Sequence, residues 1–220
     1  MKLGILGSGI VGRTLGAGFA SCGHAVRLGT RFPARPELRH WEHAQSNDAR
    51  VVSFAEAARF GDTAVLATDW KGTEHALELA RPAHLAGKVV IDATNPLDFS
   101  SGMPPRLDIG HSDSGGEQVQ RWLPGARVVK AFNTVMARHM VRPQTSGARP
   151  GMWIAGDDKD AKAQVTELLA ELGWRTLDAG PLARSRLLEP IALLVICRLA
   201  ETGRDDFLLE LLELTRTGQE

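Results

Sequence analysis

An α/β fold with a doubly wound, mostly parallel sheet and a small C-terminal helical part is the fold class that the sequence predicts. Three observations predict it. Strand-like and helix-like segments alternate along the chain, a glycine-rich loop follows the first strand, and the chain from Pro181 onward has only helical patterning. This order is typical of a Rossmann-type domain, which we place over residues 1–180, with a separate helical segment over residues 181–220.

Eight strands and five clear helices account for the alternation. The strands are predicted at residues 2–6, 25–28, 51–52, 63–67, 88–92, 126–131, 152–155 and 174–177, and the helices at residues 10–22, 54–60, 70–80, 114–122 and 159–172. Ser53 predicts the start of the second helix, because Glu56 stands three residues later and completes a capping box. The helical segment after residue 181 is expected to break near Gly203.

Two stretches have weaker patterns. Residues 32–50 contain two prolines and then a weakly amphipathic piece around Leu38 and Trp41. Residues 95–112 are rich in Pro and Gly and are predicted to form one long loop. A loop of this length inside a compact domain usually has a function or is mobile.

The composition excludes several classes of protein. The 220 residues carry 26 Lys and Arg against 26 Asp and Glu, so charge gives no reason to expect nucleic acid or an anionic membrane surface as a partner. Two cysteines far apart form neither a disulfide framework nor a metal cluster, which indicates a reducing, cytoplasmic setting. The apolar run at residues 191–197 is much shorter than the about 20 residues of a membrane span. Tyrosine is absent, which excludes a catalytic Tyr/Lys pair.

The loop after the first strand has the pattern G-x-G-x-x-G, in the order Gly7, Ser8, Gly9, Ile10, Val11 and Gly12. A match alone is weak, but here a strand precedes it and a helix follows. The first glycine permits the tight turn, the second lets backbone amides approach a pyrophosphate, and the third lets helix and strand pack closely. The helix N-terminus adds amide hydrogens and partial positive charge. We therefore predict a dinucleotide site rather than a turn without a ligand.

The end of the second strand indicates which dinucleotide binds. A site that prefers NAD has Asp or Glu about 20 residues after the loop, to bind the ribose 2′-hydroxyl. Here Thr30 and Arg31 occupy that place, and no acid follows until Glu37. A hydroxyl and a guanidinium would bind the 2′-phosphate of NADP, and Arg35 could assist. NADP is therefore predicted over NAD; the alternative is that Arg31 is a solvated loop residue.

Polar side chains follow three later strands, at the edge of a parallel sheet where ligands bind. We predict that they complete the cofactor site together with Pro96, which stands beside one of them; the polar residues are Thr68, Asp69, Asn95, Asn133 and Thr134. Each alone could equally be a turn or a helix cap, because Asn, Asp and Thr favour such positions for local reasons. Their shared place at strand ends favours the site.

No acid–base group for catalysis stands out. Five of the seven histidines are expected to be solvated, and only His111 and His139 are candidates to lie near a substrate. No local spacing suggests a Ser-His-Asp or Cys-His arrangement or a metal site. Direct hydride exchange between two bound redox cofactors needs alignment more than proton transfer, which fits this lack of an acid.

Several segments of the chain, in order, resemble one protein family. They are MKLGILGSG at residues 1–9, GTR at 29–31, DATNPL at 92–97, KAFNTV at 130–135, DAGPL at 178–182 and LLE at 187–189. They resemble the NADP-dependent oxidoreductases that act on the deazaflavin coenzyme F420. The NPL and AFN segments also resemble the cytosolic reductase domain of membrane metalloreductases, which passes electrons from NADPH to a flavin. The transmembrane part of that second family has no counterpart in these 220 residues.

The resemblance implies a role for each part of the predicted site. By motif, residues 8–11 would hold the pyrophosphate, Thr30 and Arg31 the 2′-phosphate, and the polar residues after the fifth and sixth strands the nicotinamide end. The implied activity is hydride transfer between NADPH and a second redox cofactor, F420 or a flavin. Two alternatives remain: an NADPH-dependent reductase of another small acceptor (a flavin, quinone, imine or carbonyl compound), and an NADP sensor without turnover. The β-hydroxyacid dehydrogenases are excluded, since the ~40 residues after Gly180 are too few for their helical domain.

The C-terminal segment is expected to close the cleft and to form a homodimer, which the resemblance also implies. It carries two apolar stripes at helical spacing, the first made of Leu187, Leu188, Ile191, Leu194, Val195 and Leu199, the second of Phe207, Leu208, Leu211, Leu212 and Leu214. The alternative is that both stripes only cover the sheet of their own subunit.

Overall fold

Ten strands and seven α-helices form within residues 1–45, 47–145, 147 and 149–211, the part of the chain that the computed structural model describes. In chain order they are β1 Lys2–Leu6, α1 Ile10–Ser21, β2 Ala25–Thr30, α2 Pro36–His43, β3 Ala49–Ser53, α3 Phe54–Phe60, β4 Thr63–Leu66, α4 Thr73–Ala80, β5 Val89–Asp92, β6 Leu97–Asp98, β7 Arg106–Leu107, α5 Gly115–Trp122, β8 Arg127–Lys130, β9 Gly151–Gly156, α6 Lys159–Glu171, β10 Arg175–Asp178 and α7 Ser185–Thr202.

Eight of the strands form one sheet in the order β3-β2-β1-β4-β5-β8-β9-β10. From β1 the chain adds strands outward on one side through β2 and β3, and then returns to add the others on the opposite side, which makes the sheet doubly wound. All neighbours are parallel except β8 and β9, which pair antiparallel with Val129 opposite Gly156. The order reverses between β1 and β4, and ligands bind at the carboxyl ends of strands beside such a reversal. The predicted fold class is confirmed.

Helices cover both faces of the sheet and give it two hydrophobic cores. Side chains on successive strand positions point to opposite faces, so Ile91 joins the first core and Val90 the second. Helices α1 and α6 contribute Phe19 and Leu168 to the first core, and α4 contributes Leu77 to the second. Burial on both faces explains why these strands are short, nearly continuous apolar runs rather than alternating ones.

Most predicted elements are present, with local differences. The capping box is confirmed: Ser53 Oγ accepts from the Glu56 backbone N–H, and the Glu56 carboxylate accepts from the Ser53 N–H. The weakly amphipathic piece is helix α2, whose Leu38 and Trp41 are buried. The third strand extends over Ala49–Ser53, and the helix predicted at residues 70–80 begins as a separate 3₁₀ turn before α4.

The long loop at residues 95–112 contains a short antiparallel hairpin, β6–β7, that the sequence analysis did not predict. Side chains of the 3₁₀ turn before α4 hold it in place. The Lys71 ammonium lies 3.0 Å from Asp98, and the Trp70 indole N–H donates to Asp108 over 3.3 Å. The loop is therefore tied to the same strand edge that carries the predicted site.

The prediction of a second C-terminal helix is wrong for the residues that the structure describes. Gly203, at φ +64°, ends α7 with a left-handed cap, and residues 204–211 follow without helical structure. Leu208 packs against the first core, and the Glu210 carboxylate accepts from the Gly151 N–H and from Arg175. These contacts with the same subunit compete with a helix. Of the second stripe, Leu212 and Leu214 lie outside the described residues.

Among the helices in the described ranges, none combines the length and the hydrophobicity needed to cross a membrane.

Candidate functional site

The turn between β1 and α1 requires glycine at two positions for steric reasons. Gly7 has φ +127°, and a Cβ there would lie 2.2 Å from the Ala67 carbonyl oxygen. A Cβ on Gly12 would lie 1.9 Å from the Gly7 carbonyl oxygen. Gly9 differs from both, since a Cβ at that position would meet no atom within 4 Å. Packing within the fold thus explains why positions 7 and 12 are glycine. It does not explain the glycine at position 9, where there is open space.

Gly9 is the N-cap residue of α1, so the helix begins without a side-chain cap. Gly9 offers no cap hydrogen bond, and the first turn holds no acidic residue. The first amides of a helix have no partner inside it and carry the positive end of its dipole, so this end is suited to an anion. Ile10 is exposed and Val11 half-buried at the same turn. The predicted position of the pyrophosphate therefore fits that group, because it has uncapped backbone amides and open space at Gly9.

A cleft of about 270 Å³ opens along the carboxyl ends of β1, β2 and β4. Eight of the fifteen predicted cofactor residues line it together: Gly7, Ser8, Gly9, Thr30, Arg31, Arg35, Thr68 and Asp69. Phe32 and His75 also line the cleft and were not predicted to. The signal available for Phe32 was an aromatic residue next to Arg31, two residues after the end of β2.

The end of β2 presents hydroxyl and guanidinium groups to this cleft. Ser8 Oγ donates to Thr30 Oγ1 over 3.0 Å, which fixes the glycine loop against β2. The guanidinium carbons of Arg31 and Arg35 lie 5.7 Å and 4.9 Å from the centre of the Phe32 ring. Arg35 is 3.8 Å from a carboxylate, whereas Arg31 makes no ion pair within the described residues. Arg31 is therefore available to a phosphate.

The polar residues after β5 and β8 contact each other, as their strand ends predict. Asn95 Nδ2 donates to the Asn133 carbonyl oxygen over 2.9 Å, and Asn133 Nδ2 donates to Asn95 Oδ1 over 3.1 Å. Asn133 Nδ2 also donates to the Leu188 carbonyl oxygen of α7 over 3.1 Å. Pro96 and Thr134, next to the two asparagines, are buried. These residues form a rim that joins two strands of the sheet to the C-terminal helix; its members are Asn95, Pro96, Asn133 and Thr134.

A buried ionic cluster lies directly behind this rim. The Lys130 ammonium at the end of β8 is 2.8 Å from Asp92 and 2.7 Å from Glu189 of α7, and all three side chains are almost fully buried. Burial by itself lowers the pKa of Lys130, but the two carboxylates outweigh it and raise that pKa above its ordinary value. Burial raises the pKa of Glu189, against the opposing effect of Lys130. The Gly115 and Gly116 amides also donate to Glu189.

No role was predicted for these three charged residues, which lie within the segments that resemble the family. A signal was present, because Lys130 directly follows the buried valines of a predicted core strand. A charge in such a place is rarely buried without a partner of opposite sign.

The histidines do not form an acid–base site in the described part of the chain. His111 is exposed, and the His139 ring lies 2.6 Å from the Asp205 carbonyl oxygen. The expectation that His24 is solvated is wrong. It is 7% exposed, and its ring contacts Glu171 and the Met1 ammonium. Within the same ranges, no group of three or more His, Cys, Asp or Glu side chains is placed to hold a metal ion.

The fold and the glycine turn define a dinucleotide-binding protein of the Rossmann type. Residues 2–96 match the family described as NADP oxidoreductase, coenzyme F420-dependent. The F420-dependent NADP reductase of Methanothermobacter marburgensis is 32% identical over 206 residues, which cover 89% of this chain and 91% of that protein. A structure from Arthrobacter sp. FB24, described as a candidate F420-dependent NADP reductase, is 37% identical with a TM-score of 0.91, covering 97% of this chain and 100% of that one. The chain therefore belongs to the family of F420-dependent NADP oxidoreductases.

Two other similarities have a narrower meaning. The rat (Rattus norvegicus) Metalloreductase STEAP3 is 32% identical over 193 residues, but this chain spans only 36% of the length of that protein. An imine reductase from Myxococcus stipitatus in complex with NADP+ has a TM-score of 0.64 at 17% identity, over 92% of this chain and 63% of that one, a likeness of fold alone. The predicted family and the predicted class of enzyme, an NADP-dependent oxidoreductase, are confirmed.

Proposed function

We propose that this chain transfers hydride between NADP(H) and the deazaflavin F420 in the cytoplasm. The observation that carries the proposal is that the uncapped N-terminus of α1 and the arginines after β2 line one cleft. NADP has two anionic groups that such a cleft must bind, a pyrophosphate and a 2′-phosphate. The cleft offers backbone amides for the first and guanidinium groups for the second.

At the adenine end, the chain's residues select the phosphorylated ribose. Thr30 and Arg31 would bind the 2′-phosphate, with Arg35 beside them and Phe32 as an apolar surface. Glu37, the first acid after β2, is 3.8 Å from Arg35 and does not line the cleft. Thr68 and Asp69 would wall the middle of the cofactor, since they follow the neighbouring strand β4.

At the other end, Asn95, Pro96, Asn133 and Thr134 would receive the nicotinamide. NADPH supplies the hydride when it is bound. The described residues of this rim include no histidine. Both asparagine Nδ2 groups already donate to protein oxygens, whereas the buried Asn133 Oδ1 has no hydrogen-bond partner there. The chain would therefore act by fixing the position of the ring and by excluding water, not by moving a proton.

A flavin is the second candidate for the acceptor, because the resemblance of the NPL and AFN segments to the reductase domain of membrane metalloreductases implies one. The test is the oxidation of NADPH followed by absorbance, with oxidised F420, FMN, a quinone and a cyclic imine offered in turn. Fast oxidation with F420 alone is expected. Oxidation only with the imine would replace the proposal by imine reduction, and no oxidation with any acceptor would favour an NADP sensor.

We expect NADPH to bind at least about tenfold more tightly than NADH, a difference of about 1.4 kcal/mol, because Arg31 would add a charge-assisted contact to the 2′-phosphate. Calorimetric titration of both cofactors measures the preference. Arg31→Ala should remove most of it, whereas Arg39→Ala, which changes an exposed arginine on α2 outside the cleft, should leave it intact. Equal affinities in the unmodified protein would contradict this assignment.

The histidine variants His111→Ala and His139→Ala should each keep the turnover number within about fivefold of the unmodified protein, a change of roughly 1 kcal/mol in the barrier. Substitutions of Pro96 or Thr134 should cost far more, because even a small misplacement of the ring lowers the population of reactive geometries. A pH–rate profile with the best acceptor is the measurement. A limb near pH 6–7 that one histidine variant removes, with a loss of about a hundredfold or more, would indicate a histidine acid.

We further propose that residues 1–180 bind NADP(H), and that residues 181–220 close the cleft and pair two subunits into a homodimer. In the first apolar stripe, some side chains are buried within the subunit and others are exposed on the surface of α7. Leu188 and Val195 are buried within the subunit, whereas Leu187 and Leu194 are 55% and 60% exposed on α7. Exposed apolar side chains at helical spacing are suited to a second copy of the chain. Light scattering should therefore report a dimer at micromolar concentration; a monomer there would refute the pairing.

A further inference from the structure

Glu189 of α7 is bonded to two other elements of the fold. Its Oε1 accepts from the Lys130 ammonium over 2.7 Å and from the Gly116 N–H over 3.0 Å. Its Oε2 accepts from the Gly115 N–H over 3.0 Å. One carboxylate thus joins α7 to the end of β8 and to the first amides of α5.

The cluster around Lys130 is fully bonded, which makes it rigid. The ammonium has three hydrogens, and it has three acceptors: Asp92 Oδ2, Glu189 Oε1 and the Thr94 carbonyl oxygen at 2.9 Å. The other oxygen of Asp92 accepts from the Thr94 N–H and hydroxyl. Buried polar networks in which every member is bonded specify one arrangement of their elements.

Two short covalent connections link this cluster to the predicted nicotinamide rim. Thr94, which bonds both Lys130 and Asp92, is the residue before Asn95. Leu188, whose carbonyl oxygen accepts from Asn133, is the residue before Glu189. The position of each asparagine therefore depends on a neighbour whose backbone the cluster fixes.

The approach of α7 also needs the two glycines at the start of α5. A Cβ on Gly115 would lie 3.1 Å from Glu189 Oε1 and 3.3 Å from Pro96 Cδ, so the carboxylate and the rim proline both pack close to this one small residue. This contact gives Glu189 a third path to the rim, through packing.

We propose that Glu189 is a positioning residue for the nicotinamide half of the cofactor: by docking α7 on Lys130 and α5, it holds Asn95 and Asn133 in the arrangement that receives that half. The inference rests on the proposed binding of NADP(H). It assigns to Glu189 no contact with the cofactor. Its effect should therefore be selective for the nicotinamide end of the ligand.

An ion pair between α5 and α7 supplies a matched control. The Arg186 guanidinium donates to Glu117 of α5 through two hydrogen bonds of 2.8 Å and 2.6 Å. Arg186 lies one turn before Glu189 on α7 and is partly exposed. Within the described residues it forms its hydrogen bonds and its ion pair with Glu117, and none with either asparagine. Arg186→Met thus removes a link between α5 and α7 without reaching the rim.

The experiment is calorimetric titration with NADP+ and with adenosine 2′,5′-bisphosphate, which lacks the nicotinamide half. Glu189→Gln should weaken NADP+ binding about tenfold, or about 1.4 kcal/mol, and should leave the bisphosphate within about twofold of the unmodified protein. Arg186→Met should change neither affinity by more than about twofold, even where its melting temperature falls. If Glu189→Gln does not fold, Glu189→Asp, which keeps the charge but shortens its reach, is titrated instead.

The outcomes separate this inference from the proposed function. Glu189→Gln with unchanged NADP+ affinity, or with equal losses for both ligands, would overturn the positioning role. Equal losses for NADP+ in the Glu189 and Arg186 variants would overturn it too, because general loosening of α7 would then suffice. If the unmodified protein binds neither ligand, the proposed function itself fails.

Discussion

Gly9→Ala is expected to weaken NADP binding by about a hundredfold or more, which corresponds to about 2.8 kcal/mol, while the unliganded protein stays as stable as before. The added methyl group would meet no protein atom within 4 Å, and Gly9 has a φ of −69° that alanine adopts without strain. The free space at that point is where a pyrophosphate would approach the amides of α1. The methyl group should therefore obstruct only the ligand.

Gly12→Ala is the matched control, because it adds the same group three residues away. There the methyl carbon would lie 1.9 Å from the Gly7 carbonyl oxygen, so the turn itself must distort and the unliganded protein should lose stability. Thermal unfolding with and without NADP+ separates the two effects. If NADP+ stabilises the Gly9→Ala protein as strongly as the unmodified protein, the pyrophosphate does not bind at this turn.

Lys130→Met is expected to reduce the free energy of unfolding by about 3–5 kcal/mol, the usual cost of removing one partner from a buried ion pair. Two buried carboxylates, Asp92 and Glu189, would lose the ammonium that they share. Urea unfolding measures the loss. Lys162→Met is a suitable control, since it removes a lysine whose partner Asp178 is half exposed, and we expect a loss of about 0–1 kcal/mol.

The loss in Lys130→Met should depend on pH in a defined direction. In the unmodified protein the pKa of Lys130 is raised, so its stabilising charge is complete below the ordinary value of 10.5 and is lost only as the pH rises through the folded-state pKa. Burial already raises the pKa of Glu189, and loss of the ammonium should raise it further. A folded state that binds a proton more readily than the unfolded chain gains stability as the pH falls. The variant should therefore recover stability toward pH 5, and a loss that grows on acidification would contradict this.

The glycine turn and the end of β2 could be predicted from sequence because their information is local. Gly7, Gly9 and Gly12 have their roles within one strand–turn–helix unit, and Arg31 directly follows the strand that places it. The same holds for Ser53, whose cap partner is three residues away. Such features need no knowledge of which distant segments pack together.

The features that the sequence analysis missed depend on contacts between distant segments. Lys130 and Glu189 are far apart in sequence, and no residue pattern near either one indicates which residue it pairs with. The apolar pattern after Gly203 fits a helix, but contacts of Leu208 and Glu210 with the sheet side of the same subunit replace it. His24 is buried for a similar reason, because α6 brings Glu171 to it. Tertiary packing overrides local pattern at each of these places.

The most direct test of the central claim is a label-transfer experiment with NADPH that carries deuterium at the transferable position of the nicotinamide. The protein is incubated with this NADPH and oxidised F420 in ordinary water, and the reduced F420 is analysed by mass spectrometry. Direct transfer between two aligned rings predicts that the deuterium is found in the reduced deazaflavin, with no loss to solvent. Deuterium lost to water, or F420 left oxidised while NADPH stays intact, would contradict the claim.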